Sequence, residues 1–248
     1  MNENRLLAAL PADDRGRLVP KLEVVPLEKG RALYEMGDLI RHVYFPMTGF
    51  CSLVALTPDG AMVEIAAVGN EGLIGLAVVL RRPTAACLAL VQVSGMAYRV
   101  RAEALVAEFQ RGAGLQAILL QYTNAFLGEV SQGIVCHQFH SVLQRVCRWL
   151  LVAAERLQSD TLDLTQEAIA HALGIPRTGV TEAAVRLQDA HAIQCRHGRI
   201  VILQRAYLAA SACECHRVSD TTDLAPETRT VRVAVPLPSR PRRVRTVG

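Results

Sequence analysis

Between residues 22 and 100, apolar positions gather in short runs at 22–27, 42–45, 50–56, 62–68, 86–93 and 96–100. Turn signals part them: Glu28-Lys29-Gly30, Met36-Gly37-Asp38, Thr57-Pro58-Asp59-Gly60, Gly69-Asn70-Glu71-Gly72 and Ser94-Gly95. Runs of strand length punctuated by Gly and Pro predict a small β-sandwich or barrel. Near Arg101 the period changes. No proline stands between Pro83 and Pro176, and Leu115, Leu119, Tyr122, Phe126, Val130, Ile134 and His137 follow one another at steps of three or four. That stripe predicts a helix over 115–137, about 33 Å long at ~1.5 Å per residue. It is long for packing on a small sandwich and suits pairing with the same seam of a second chain. Burial against the chain's own sandwich is the alternative.

A third texture, 141–210, reads as short helices followed by a hairpin. Thr165 is placed to cap a helix, its hydroxyl accepting from a free N–H of the first turn. Ile169, Ala172 and Leu173 give that helix one apolar face. Gly174 follows, where a left-handed residue is needed, and Pro176 sits where the next helix begins. Val180, Ala184 and Leu187 are the second helix's buried face. Two helices crossing over so short a turn need a small residue at the crossing, which Ala170 supplies. Ala170, Gly174 and Val180 therefore have the helix-turn-helix spacing. The second helix would expose Arg177, Thr178, Thr181, Glu182 and Arg186, donors and acceptors for base edges and phosphates. Thr165 and Gln166, at the start of the first helix, join this set. Residues 192–196 and 199–203 flank His197-Gly198 as a two-strand wing, whose tip gathers Arg196, His197 and Arg199 for a phosphate. A helical hairpin with a merely solvated polar face is the bland alternative.

Charge bears on this reading. The 248 residues carry a net +4, but the tail from Arg217 holds seven arginines against Asp220, Asp223 and Glu227, which leaves residues 1–216 neutral. DNA contact must then come from a local arrangement of charge. The tail carries Pro226, Pro236, Pro238 and Pro241 without periodicity and is expected to be disordered. Apolar residues make up 51% of the chain, enough for real cores, yet stretches such as 72–80 fall far short of the ~18 a membrane helix needs. With no export signal at the N-terminus, the expectation is a cytoplasmic protein without a membrane partner.

Residues 141–212 resemble the DNA-binding domain of the Crp/Fnr family of bacterial regulators. A weaker pattern, Gly30…Gly37-Asp38, Val43-Tyr44-Phe45, Gly49 and Asn70-Glu71-Gly72…Gly75, resembles that family's sensor. The resemblance implies an α+β chain: an N-terminal double-stranded β-helix (a jelly roll like that of cyclic-nucleotide-binding domains) over 1–110, a dimerisation helix over 111–140, a winged helix-turn-helix over 141–216, and the tail from 217. It further implies a homodimer that binds double-stranded DNA at inverted repeats to regulate transcription, with RNA polymerase as a further partner. Arg177 matches the family's arginine. Thr178 stands where the best-known members place glutamate, and Glu182 where they place arginine.

Members that bind cyclic nucleotides carry a glutamate for the ribose after a glycine, then an arginine step for the phosphate. Here Leu76 follows Gly75, and Pro83 separates Arg82 from Thr84. Gly75, Leu76, Arg82 and Thr84 mark the effector pocket, with the ribose acceptor missing, so no cofactor is assigned and cyclic nucleotide is not expected. An iron–sulfur sensor would need clustered N-terminal cysteines, whereas only Cys51 and Cys87 fall in the sandwich. Cys213-Glu214-Cys215-His216 is the one dense group of soft ligands. It reads as incidental residues near a chain end, and no metal site is assigned. His137 and His140 flank the long helix; with an ordinary pKa they could respond to pH, but solvated or packed histidines are the default reading. No catalytic residue is assigned: a cupin-like enzyme would need inward metal ligands, and His42 is the sandwich's single histidine. A scaffold of this fold without specific DNA reading remains the alternative function.

Overall fold

The computed structural model describes residues 3–112, 114–196 and 198–218. The tail from 219 on, and His197 at the wing tip, lie outside them. Two short helices come first, α1 (Arg5–Ala8) and α2 (Ala12–Leu18), which the sequence pattern does not show because four and seven residues are too few for a period. Buried Asn4 fixes them. Its Oδ1 accepts from Leu6 and Leu7, capping α1, and its Nδ2 donates to the carbonyls of Pro46 (3.0 Å) and Gly72 (2.8 Å).

Seven strands follow: β1 (Glu23–Leu27), β2 (Ala32–Tyr34), β3 (His42–Pro46), β4 (Phe50–Leu56), β5 (Met62–Val68), β6 (Leu88–Val93) and β7 (Gly95–Arg101). They form two antiparallel sheets, ordered β1-β7-β3 and β2-β6-β4-β5. The six strand-like runs are six of these strands. The three-residue β2 is the addition, too short to alternate. Side chains alternate inward as period two requires, so Val43 and Phe45 of β3 are fully buried.

Helices α3 (Ala102–Gln110) and α4 (Gly114–Phe139) lead out of the sandwich. Gly112, at φ 77°, makes the turn between them in a conformation only glycine adopts freely. The 26 residues of α4 span about 39 Å. Their apolar stripe does not act as one seam, which corrects the expectation from periodicity. Leu115, Leu119, Tyr122 and Phe126 pack with Phe45, Leu73 and Leu105 in the N-terminal part's own core. The Tyr122 ring reaches the loop after β5, against Gly72. Exposed instead are Leu120, Leu127 and Ile134, spaced by seven, at 50%, 59% and 68% of their surface. At the helix end His137 packs on the Arg145 guanidinium, 2.8 Å away. Burial first, then Arg145 and Arg148, hold its imidazole down at about 4. It therefore stays neutral across the physiological range, a packed histidine and not a pH-responsive one.

The C-terminal part begins with α5 (Val142–Leu157), opened by a capping box between Ser141 and Gln144. Then come β8 (Thr161–Leu162), α6 (Gln166–Leu173), α7 (Arg177–Asp189), β9 (Ile193–Arg196), β10 (Arg199–Ile202), α8 (Arg205–Ser211) and α9 (Cys215–Val218). Its core, built on Val146, Leu150, Ile169, Ala170, Val180, Leu187 and Ile200, also takes in Phe50 and Ala67 of the sandwich. The two parts are thus packed together. Trp149 sets its ring edge-on to Phe50, with centroids 6.3 Å apart, and its Nε1 donates to Glu64 Oε1 at 3.0 Å. The other Glu64 oxygen accepts from Ser52. Burial raises the Glu64 carboxyl despite these two donors.

A buried ionic triad joins three segments. Arg156 on α5 reaches Glu71, in the loop after β5, with Nε at 2.8 Å, and Glu129 on α4 with Nη2 at 2.9 Å. All three side chains are about nine-tenths buried. Burial alone would raise Glu71, but Arg156 and the Gly69 N–H outweigh it and hold the carboxyl below its ordinary value. Gly69 lets α5 approach, because a Cβ there would lie 3.2 Å from Arg156.

Candidate nucleic-acid interface

Of the side chains singled out for DNA, His197 lies outside the described residues, and the others stand exposed or half-exposed on the start of α6, on α7 and on the wing strands. The Thr165 hydroxyl accepts from the Ala168 N–H at 3.1 Å, so it caps α6. Gly174 ends α6 in the left-handed region, at φ 58°, and a Cβ there would come 3.0 Å from Val63 of the sandwich. Pro176 is the N-cap of α7. Ala170, Val180, Ala184 and Leu187 are buried where the two helices cross and pack. One face of α7 then turns out to solvent with Arg177, Thr178, Thr181, Glu182 and Arg186 on it.

Local contacts pre-set several of these groups. The Thr181 hydroxyl lies 2.9 Å from Gln166 Oε1, which joins the start of α6 to α7, and 3.1 Å from the Arg177 carbonyl. Arg177 is 67% exposed and sits 3.6 Å from Glu167. The wing pairs Arg196 opposite Arg199 on antiparallel β9 and β10, and β8 adds a third strand. Gly198 at the wing turn lies beside the Thr165 methyl, so the wing tip and the start of α6 are neighbours. Arg199, 65% exposed, meets Asp163 at 3.6 Å. These exposed ion pairs are each worth only about 0–1 kcal/mol, so they orient the guanidinium groups without tying them up. The arrangement offers a 13-residue helix face and a basic hairpin to a groove and its flanking phosphates.

The four residues marked by sequence for an effector pocket behave differently. Gly75 is buried and left-handed, at φ 103°; a Cβ on it would press on Val43 and Ile40. Leu76 opens a single tight helical turn, Leu76–Val78, and Tyr34, itself largely buried, brings its hydroxyl to the Gly75 backbone. Arg82 and Thr84 are exposed, and Thr84 bridges to Leu39. These four residues line none of the clefts described. A cleft of about 870 Å³ opens elsewhere, between Arg41, His42, Arg81, Arg101 and the α3 residues Val106 and Phe109. Sequence reading missed these cations because they come from three separate segments.

Residues 144–211 match the Crp-like helix-turn-helix domain family. By sequence, no curated protein matches the chain. Among solved structures the chain is similar to FixK2 from Bradyrhizobium japonicum, at 18% identity and a TM-score of 0.68, over 77% of this chain and 98% of that one. It is also similar to CLP, a c-di-GMP-responsive global regulator of Xanthomonas campestris, at 15% identity and 0.64, over 77% and 99%. A CRP-family transcriptional regulator of Thermus thermophilus gives 19% and 0.64, over 77% and 99%. At these identities the likenesses establish the fold. Among the described residues no helix is long and apolar enough to cross a membrane. The Crp-like helix-turn-helix match at 144–211 thus closes an α+β chain of jelly-roll sandwich, long helix and winged domain, the fold that it shares with these solved structures.

Proposed function

We propose that the protein is a homodimeric, cytoplasmic regulator that reads inverted-repeat DNA with α7 and grips the flanking phosphates with its wing, controlled by an effector and acting on RNA polymerase. The exposed face of α7 carries the reading: Arg177, Thr178, Thr181, Glu182 and Arg186 all project from one helix whose opposite side is fully packed. Arg177 is assigned to guanine O6 and N7, and Glu182 to cytosine N4, which it accepts from while repelling phosphate. Selection of bound duplexes from a random pool tests this, the expected product being two half-sites about 34 Å apart. A product without an inverted repeat counts against it.

The dimer is assigned to the exposed side of α4. Leu120, Leu127 and Ile134 repeat every seven residues, the period of a coiled-coil seam. Gly128 beside them has open space where a Cβ would stand, so a second helix can approach closely. Light scattering of the full chain is expected to give twice its 27.0 kDa mass. Leu127→Glu is expected to give the single-chain mass with unchanged helical circular dichroism, because it places a charge in the seam and none in a core. A dimer unaffected by Leu127→Glu would move the interface elsewhere.

Cyclic AMP is not expected to switch this protein. Leu76 stands where the ribose acceptor would be, and Tyr34 fills the interior beside Gly75. The cleft walled by Arg41, Arg81 and Arg101 is assigned instead to an anionic effector. Calorimetry is expected to show no binding of cyclic AMP at micromolar concentration; micromolar affinity coupled to altered DNA binding would overturn this.

A further inference from the structure

Four potential metal ligands from distant parts of the chain meet where α4 ends. Cys136 lies in the last turn of α4 and His140 just after it, while Cys213 and Cys215 flank the turn between α8 and α9. Their ligand atoms all lie within 4.8 Å of one another. The three cysteines are buried, and the His140 side chain is 11% exposed. Cys136 Sγ stands 3.6 Å from Cys213 Sγ, and Cys215 Sγ 3.5 Å from His140 Nδ1. A tetrahedral ion with bonds of about 2.3 Å to sulfur and ~2.0 Å to nitrogen holds its ligand atoms about that far apart. An iron–sulfur cluster spreads its cysteines wider, since irons and sulfides stand between them, and a disulfide would need the sulfurs at about 2.05 Å.

The surroundings are those of a ligand set. His140 turns Nδ1 to the sulfurs and places Nε2 3.3 Å from a Glu214 carboxylate oxygen. A carboxylate on the far nitrogen fixes the tautomer that leaves Nδ1 free to ligate. Gln132 Nε2 lies 2.9 Å from Cys215 Sγ and can donate to a thiolate. Arg145 and Arg148 bring positive charge to Cys136, and Arg145 to Cys213, which suits the net negative charge of three thiolates on a divalent ion. His216, the histidine nearest the pair in sequence, turns away to Glu155 at 3.5 Å.

From this geometry we infer that Cys136, His140, Cys213 and Cys215 form a structural Zn²⁺ site that pins the end of the DNA-binding domain to the end of the long helix. On binding, three S–H bonds break and three Zn–S bonds form. Three protons leave to solvent, and no electron is transferred. Burial raises the metal-free thiols of Cys136 and Cys213 above the ordinary cysteine value, that of Cys213 to about 12. The site spans the break between α4 and α5, where Ser141 caps α5, and so ties the end of the C-terminal part to the end of α4.

The test is metal analysis of the full chain purified under reducing, zinc-supplied conditions. About one zinc per chain is expected. The double variant Cys213→Ser/Cys215→Ser should lose at least tenfold of it, and Cys87→Ser, in the sandwich, should lose none. Co²⁺ added to metal-stripped wild-type chain should give the visible bands of tetrahedral cobalt with thiolate charge transfer, a readout that needs no variant to fold. Zinc well below stoichiometric together with an octahedral cobalt spectrum overturns the site, as does iron with acid-labile sulfide. Chain that holds zinc but does not select DNA would sink the DNA-reading proposal and leave this one standing. Chain that selects DNA without zinc would do the reverse.

Discussion

Arg156→Met is expected to destabilise the protein by about 3–5 kcal/mol, because it strands two carboxylates away from water. Glu71 and Glu129 both rely on Arg156, at 2.8 and 2.9 Å, and all three are about nine-tenths buried. The penalty comes from the orphaned charges and not from an intrinsic strength of the ion pairs. Neutralising the partners should therefore recover much of it, and Glu71→Gln/Glu129→Gln/Arg156→Met should be far more stable than Arg156→Met alone. The three residues belong to the loop after β5, to α4 and to α5, so Arg156→Met should also loosen the joint between them. Trp149 is the chain's single tryptophan, and it reports this joint through its contacts with Phe50 and Glu64. Urea unfolding followed by its fluorescence measures both effects. A loss under 1 kcal/mol would mean the triad is hydrated in solution.

Arg177→Ala is expected to cost about 1–3 kcal/mol of affinity for the selected site and to relax preference at one base pair per half-site. The Glu167 partner does not detain Arg177, since an exposed pair at 3.6 Å is weak beside a bidentate contact to guanine. Arg199→Ala provides the contrast. It should weaken selected and scrambled duplexes about equally and lower the salt slope by about one unit, the behaviour of a phosphate contact. Binding titrations on both duplexes at several salt concentrations separate the two. If Arg177→Ala binds the selected duplex as wild type does, α7 is not the reading helix.

The sequence by itself determined the features that rest on local period and turn chemistry. Six strands follow from short apolar runs between Gly and Pro turns. The crossing of α6 and α7 follows from Ala170, Gly174 and Val180, because helix crossing, left-handed cap and buried face each demand a residue type at a set step. The solvent-exposed set on α7 was legible for the same reason: fixing a helix's buried face fixes its exposed one.

What only the tertiary structure decided are the matters of partner choice. Helix α4 has two apolar faces, and periodicity cannot say that Leu115, Leu119 and Tyr122 go to the core shared with the sandwich while Leu120, Leu127 and Ile134 stay open. The effector residues near Gly75 belonged to a local motif, yet the cationic cleft is assembled from three segments. Arg156 with Glu71 and Glu129, Trp149 with Glu64, and Cys136 and His140 with Cys213 and Cys215 are each brought together from far along the chain. No short-range spacing signals such a meeting. It exists because the C-terminal part folds back onto the sandwich and onto the end of α4, and burial then sets the chemistry of the groups enclosed.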